Sequence, residues 1–174
     1  MTFEDFAATE LAPLLRFATV LTNDRGLAED LCQDVLVKAR SHWNRIAAME
    51  LPQAYVRRMI VNEYLSWRRK WARVVPRAEI TFADAHPDHA GAIAEHQSVL
   101  EMVGVLPAQQ RTALVLRFFE DLPDHEIARI MGCRETTVRG YIHRALQTLR
   151  VEHGPEQGDG FAPARTSRSR EGLT

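Results

Sequence analysis

Arg134, Glu135, Thr136, Thr137, Arg139, Gly140, His143 and Arg144 crowd one short stretch, on or near one outer face if it is helical. Arginine can donate two hydrogen bonds to a guanine edge, and threonine can meet a base or a phosphate. That is the chemistry of duplex DNA readout. The surrounding run, DHEIARIMGCRETTVRGYIHRALQTLR, spans Asp124 to Arg150 and supplies the means of presenting it. A short helix carries Ile127 and Ala128 and ends at Met131. Gly132 follows, at a corner where a residue without a side chain takes positive φ. A second helix begins near Glu135, with Val138 and Ile142 turned back toward the first. Such a helix-turn-helix lays its second helix in the major groove. An ordinary hairpin with a solvated face is the bland alternative. The order of small residue, glycine and basic helix favours DNA.

A second concentration of chemistry lies in AYVRRMIVNEYLSWRRKWAR. Val56, Ile60, Tyr64, Trp67 and Trp71 form an apolar-aromatic stripe at helical spacing. Arg57, Arg58, Arg68, Arg69, Lys70 and Arg73 decorate the rest. Cations that follow phosphates, interleaved with rings that stack on unpaired bases, suit single-stranded nucleic acid. Tyr64 is as readily a core residue. The preceding helix, LAEDLCQDVLVKARSHW, has the opposite character. Glu29, Asp30, Gln33 and Asp34 give it an acidic face across from Leu31, Val35 and Leu36. That face would repel phosphate and suits a basic protein partner, or else it is merely solvated.

The elements that must position these residues are helical. Phe3, Phe6, Leu11, Leu14, Leu15, Ala18 and Leu21 recur at spacings of three to five. Thr22-Asn23-Asp24 breaks that helix and can cap the next, which runs to about Trp43. Pro52 suits the first turn of a third helix, ending near Trp71. Periodicity is lost over residues 72–92 and resumes near Ile93. Pro107 opens a helix whose apolar set is Leu114, Leu116, Phe118 and Phe119. From Glu152 onward Gly, Pro, Ser and Arg dominate. The expected fold is all-α, two small helical domains joined by a flexible linker. The boundaries are residues 1–75, a linker at 76–97, a second domain at 98–152 and a disordered tail at 153–174.

Composition agrees. The 174 residues are 45% hydrophobic, enough for real cores, and no apolar run is long enough to cross a bilayer. MTFEDFAATE is acidic and unlike a signal peptide, so a cytoplasmic protein is expected. Cys32 and Cys133 each sit in an apolar helical pattern, as small packed residues rather than a metal pair. The net charge of −1 conceals blocks. Residues 1–34 carry two basic and seven acidic groups, a balance of −5. Residues 52–77 stand at +6, residues 78–104 at −5 and residues 134–150 at +3. Two electropositive surfaces can touch nucleic acid at two places.

AEDLCQDVLVKARSHWNRI followed by AYVRRMIVNEYLSWRRK resembles region two of the bacterial extracytoplasmic-function sigma factors. LPAQQRTALVLRFFEDLPDHEIARIMGCRETTVRGYIHRALQTLR resembles their region four. The resemblance covers roughly residues 3–150 and is greatest to an actinobacterial-type subgroup. It implies a protein that binds core RNA polymerase and directs it to promoters. Asp30, Gln33 and Asp34 would dock on the β′ clamp helices. Arg57, Arg58, Asn62, Trp67, Arg68, Arg69 and Lys70 would melt and hold the minus-ten element. The helix-turn-helix face would read the minus-thirty-five element as duplex. Leu114, Phe118 and Leu146 would meet the β flap unless they are core. The acidic linker would thread polymerase near the RNA path. Such proteins are often restrained by an anti-sigma factor, a possible further partner. No cofactor and no membrane insertion are implied. Two places depart from the commonest pattern: RGYIHRAL replaces a Lys-Ser-Arg-Leu-type run, and Glu63 and Ser66 stand where an Asp often follows the Asn.

Two other functions compete. EIARIMGCRETTV also fits a transcriptional regulator that binds duplex DNA alone, which leaves the first basic block and the acidic helix unexplained. An enzyme has little support. His86 and His89 with Asp84 and Asp88 make a loose metal-like group in the linker, and His125-Glu126 lacks the second His of a zinc protease. No phosphate-cradling loop or nucleophile triad is present.

Overall fold

The structure is a computed structural model that describes residues 1–74 and 94–153. Those residues form α-helices and turns, with no strand among them. In chain order the helices are α1 (Phe3–Thr22), α2 (Arg25–Ser41), α3 (Trp43–Ala47), α4 (Pro52–Val74), α5 (Ala94–Gly104), α6 (Ala108–Phe118), α7 (Asp124–Met131) and α8 (Glu135–His153). The all-α expectation holds. Most of the linker expected at 76–97, with His86 and His89, lies outside the described residues, as does the tail from 154.

Local chemistry sets the boundaries. Thr2 caps α1 in a capping box: its hydroxyl accepts from the Asp5 amide at 3.1 Å while the Asp5 carboxylate accepts from the Thr2 amide. Asn23 ends α1 in the left-handed region at φ 55, which asparagine tolerates better than most residues. Asp24 then accepts from the Leu27 amide at 2.9 Å and starts α2. Gly132 closes α7 at φ 67, as its position predicts, and the Cys133 amide donates to the Ala128 carbonyl.

α1, α2 and α4 pack together around Phe6, Leu14, Leu21, Leu31, Val35, Val56 and Ile60, all buried. α6, α7 and α8 pack around Leu114, Leu116, Ile127, Ala128 and Val138. The two groups are not separate. α5 and α6 lie against α1, and the buried apolar side chains form one continuous cluster.

Some sequence-based expectations shift. α2 stops at Ser41, a short α3 intervenes, and α4 runs past Trp71 to Val74. Leu11, Trp71 and Phe119, counted among apolar stripes, are 48%, 49% and 42% exposed. Cys133 lies in the α7–α8 turn rather than within a helix, while Cys32 is buried on α2 as expected. Burial pushes the Cys32 thiol up to about 11, so it is not a reactive thiolate.

Candidate nucleic-acid interface

α8 presents the helix-turn-helix surface. Thr136, Arg139 and His143 are exposed at helical spacing, with Gly140 half-buried among them. Arg134, Glu135 and Arg144 are exposed beside this strip and Thr137 is half-buried. The opposite side is anchored by Val138, fully buried, and by Ile142 and Leu146 against the core. Tyr141 carries the Arg144 guanidinium over its ring at 5.5 Å. Arg139 is held by two carboxylates, Asp124 at 3.5 Å and Glu135 at 3.8 Å. Asp124 also faces Arg117 at 3.6 Å. This first residue of α7 thus links α6 to the outer face of α8, a role that sequence reasoning missed.

α4 divides its basic residues between two environments. Asn62, Arg69, Lys70 and Trp71 are exposed. Tyr64 is buried, with Trp67 stacked beside it at 6.5 Å and Trp71 continuing the row at 5.7 Å from Trp67. Tyr64 is therefore core, and the outer end of the aromatic row is open. Arg57, Arg58 and Arg68 are half-buried. Arg57 pairs with Glu120 at 3.3 Å and Arg58 with Glu126 at 2.8 Å, both carboxylates from the second helical group. Burial lowers the pKa of the Arg68 guanidinium, which lies over the Tyr64 ring at 5.8 Å. Burial likewise raises the Glu120 carboxyl above its usual range, against the opposing pull of Arg57.

The acidic face of α2 is open. Asp30, Gln33 and Asp34 are exposed on one side of the helix. Val37, one turn further on, is 69% exposed and sits on the same side. An exposed valine one turn from Asp34 puts an apolar spot on this acidic side of α2. Helical spacing from Gln33 and Asp34 places it there, but that it stays so exposed could not be read from periodicity. Among the apolar residues suggested for a further contact, Leu114 is 2% exposed and belongs to the core. Phe118 and Leu146 are partly buried against that core. Among the described residues, no group of three or more His, Cys, Asp or Glu could hold a metal, and no helix is long and apolar enough to cross a membrane.

Comparison with known proteins gives these surfaces a common context. Residues 7–74 match the Sigma-70 region 2 family and residues 96–149 match Sigma-70, region 4. The chain is 33% identical over 169 residues to an RNA polymerase sigma-E factor of Streptomyces avermitilis, covering 97% of this chain and 94% of that one. It is 27% identical over 145 residues to the ECF RNA polymerase sigma factor SigL of Mycobacterium tuberculosis, with 80% and 82% covered. Among solved structures it is similar to the sigma factor RpoE in complex with the anti-sigma factor NepR from Bartonella quintana. The TM-score is 0.56 at 29% identity, over 85% of this chain and 96% of that chain. The helices α1 to α4 are thus region two and α5 to α8 region four, and the chain belongs to the sigma-70 family, in its extracytoplasmic-function group.

Proposed function

We propose that this chain is an alternative sigma factor: it binds core RNA polymerase in the cytoplasm and directs initiation at a specific set of promoters. The bond-making chemistry belongs to polymerase, and this chain supplies recognition. One observation carries the reading. Both regions occur in one chain, in the family's order, within a relationship that spans nearly the whole sequence.

Each surface has a role that its chemistry supports. The exposed face of Asp30, Gln33, Asp34 and Val37 docks on basic, partly apolar helices of polymerase. The α4 arginines, with Asn62, Lys70, Trp67 and Trp71, hold the melted minus-ten strand: cations on phosphates, rings on unstacked bases. Thr136, Arg139, Gly140 and His143 on α8 meet the minus-thirty-five element in its major groove. Arg134 and Arg144 flank it within reach of phosphate. The similar Bartonella structure contains an anti-sigma factor, and the open acidic face of α2 is where a corresponding partner would compete with polymerase.

Run-off transcription with purified core polymerase on sheared genomic DNA, with and without this protein, tests the proposal. Transcripts that depend on the protein and share upstream elements are expected. No transcripts, together with duplex binding by the protein alone, would move the assignment to a helix-turn-helix regulator.

A further inference from the structure

The outer face of α8 carries arginines in two electrostatic states. Arg134 is exposed and makes no ion pair among the described contacts. Arg139 is also exposed, but two carboxylates bracket it. Its Nε lies 3.5 Å from Asp124 Oδ2, and its Nη2 lies 3.8 Å from Glu135 Oε2. Nε and Nη2 form one edge of the guanidinium plane, so both acids line the same edge. The end of the fork, formed by Nη1 and the outer hydrogen of Nη2, makes no ion pair among the described contacts. It is the part of a side chain 63% exposed that is left to meet a ligand.

The bracket is itself anchored. Asp124 is the first residue of α7, its side chain is 22% exposed, and its other oxygen, Oδ1, lies 3.6 Å from Arg117 Nη1 on α6. Arg117 Nη1 also donates to the Leu122 carbonyl at 2.9 Å, and the Leu122 amide donates back to the Leu116 carbonyl at 3.2 Å. Ile127, fully buried one turn on, roots α7 in the core. Glu135 stands one turn before Arg139 on α8. Arg139 is therefore held from two elements whose corner is set by Gly132. Exposed ion pairs add little to stability, so the fold itself gains little from this one. Its effect falls on binding. A long side chain already held in place loses less freedom when it meets a ligand. Two adjacent carboxylates also offset the charge that would draw Arg139 to phosphate, a contact that depends on net charge. Two parallel bonds to guanine O6 and N7 depend instead on an oriented fork.

We propose that Asp124, assisted by Glu135, is a positioning residue that sets the base specificity of α8: it holds the Arg139 fork end-on, so that Arg139 reads a guanine rather than clamping a phosphate. This inference rests on the proposed role of α8 in meeting the minus-thirty-five duplex, and it names the base and the residue that selects it. Arg134, with no carboxylate bracket, keeps its charge for the backbone. Asp124 touches no base. It acts through Arg139 from a different helix.

The test uses the full chain bound to core polymerase and a duplex library randomised upstream of the start site. Wild type is expected to enrich an upstream element containing guanine, and Arg139→Ala to lose the preference at one guanine only. Asp124→Asn keeps the shape and removes the charge. It is expected to lower discrimination at that same guanine about threefold to tenfold, the cost of ordering one long side chain, and to leave the other positions unchanged. Asp124→Glu should restore part of the preference. In salt titrations on the enriched duplex, Arg134→Ala should reduce the slope of log affinity against log salt by about 0.9, the value for one phosphate, and Arg139→Ala by less than about half of that. Discrimination unchanged in Asp124→Asn would overturn the proposal. So would an equal change in affinity for every sequence, the mark of a structural or purely electrostatic effect, or a full phosphate-sized slope change in Arg139→Ala. If Asp124→Asn does not fold, Glu135→Gln decides the matter, since the Glu135 side chain is 51% exposed: an unchanged guanine preference there would overturn the bracket. The duplex role of α8 is judged separately. No enriched upstream element with wild type would remove that role, whereas an element that responds to Arg139→Ala at a base other than guanine would remove only the present inference.

Discussion

Arg111 shows how one residue can matter without touching a ligand. The residue is only 7% exposed, and its guanidinium bonds carbonyls from both regions. Hydrogen bonds to a charged group contribute about 1.5–3 kcal/mol each, and stranding several buried carbonyls at once adds to the loss. Arg111→Ala should therefore destabilise the chain by about 3 kcal/mol in urea denaturation, as the breaking of a buried network does. Arg111→Lys should recover less than half, because one ammonium cannot reach acceptors at both ends of the fork. An effect under about 0.5 kcal/mol, typical of surface changes, would refute this role. The sequence did not mark Arg111 out: in LPAQQR it looks like any solvated arginine near a helix start. Arg139 is the converse. Its type and place announced a DNA contact, and it is indeed exposed on the outer face of α8. Arg139→Ala should weaken minus-thirty-five binding by about 1–3 kcal/mol in a duplex titration if it meets a base edge. Equal loss on unrelated duplexes would reassign it to a phosphate.

At the scale of elements, what could be read from sequence was what is local. Gly132 at the α7–α8 corner, Asp24 as the α2 cap and Pro52 in the first turn of α4 depend only on neighbours a few residues away. The short α3 has no side-chain cap and gave no such signal. Periodicity told which side of a helix is apolar but not what covers it. Phe3 and Phe6 on α1 are packed by Trp43, while Leu11 on the same helix is left open, and Trp71 extends beyond the buried part of α4. The α2 face illustrates the difference. Its acids were legible and helical spacing puts Val37 among them, but that Val37 would be left open was not. Asp34 makes no ion pair among the described contacts, so reversing its charge disturbs no partner of its own. Asp34→Arg should leave the denaturation midpoint nearly unchanged while lowering affinity for core polymerase about tenfold or more in a competition assay, since like charges across an interface suppress docking. Unchanged polymerase affinity would detach the acidic face from that role.

At the scale of the molecule, the charge blocks were visible in the sequence, but the pairing of acids with bases was not. The carboxylates that meet the α4 arginines come from Glu120 and Glu126, outside the acidic blocks at 1–34 and 78–104. Chain proximity could not reveal a contact between residues more than sixty positions apart. The pair at Glu120 also says how firmly the two regions are joined. Burial raises its carboxyl pKa despite the opposing effect of Arg57, so the native chain binds that proton more tightly than the unfolded chain does. Its contribution to stability is accordingly present at acid pH and lost as pH rises through the native value. The ionised carboxylate therefore favours the fold less than the protonated one does, and among the described residues the buried Arg57 Nε has no hydrogen-bond partner. A buried ion pair of this kind selects an arrangement more than it stabilises one. Glu120→Gln, which keeps the shape and stays neutral, should match or exceed wild-type stability at pH 7. That advantage should shrink as pH falls from neutrality toward the ordinary carboxylate range, where the wild-type side chain becomes protonated too. Urea midpoints of the two proteins across that window measure it. A wild-type chain that is clearly more stable at pH 7, with the difference vanishing in acid, would mean that the Arg57 pair outweighs its desolvation. The regions would then be clamped rather than poised to separate.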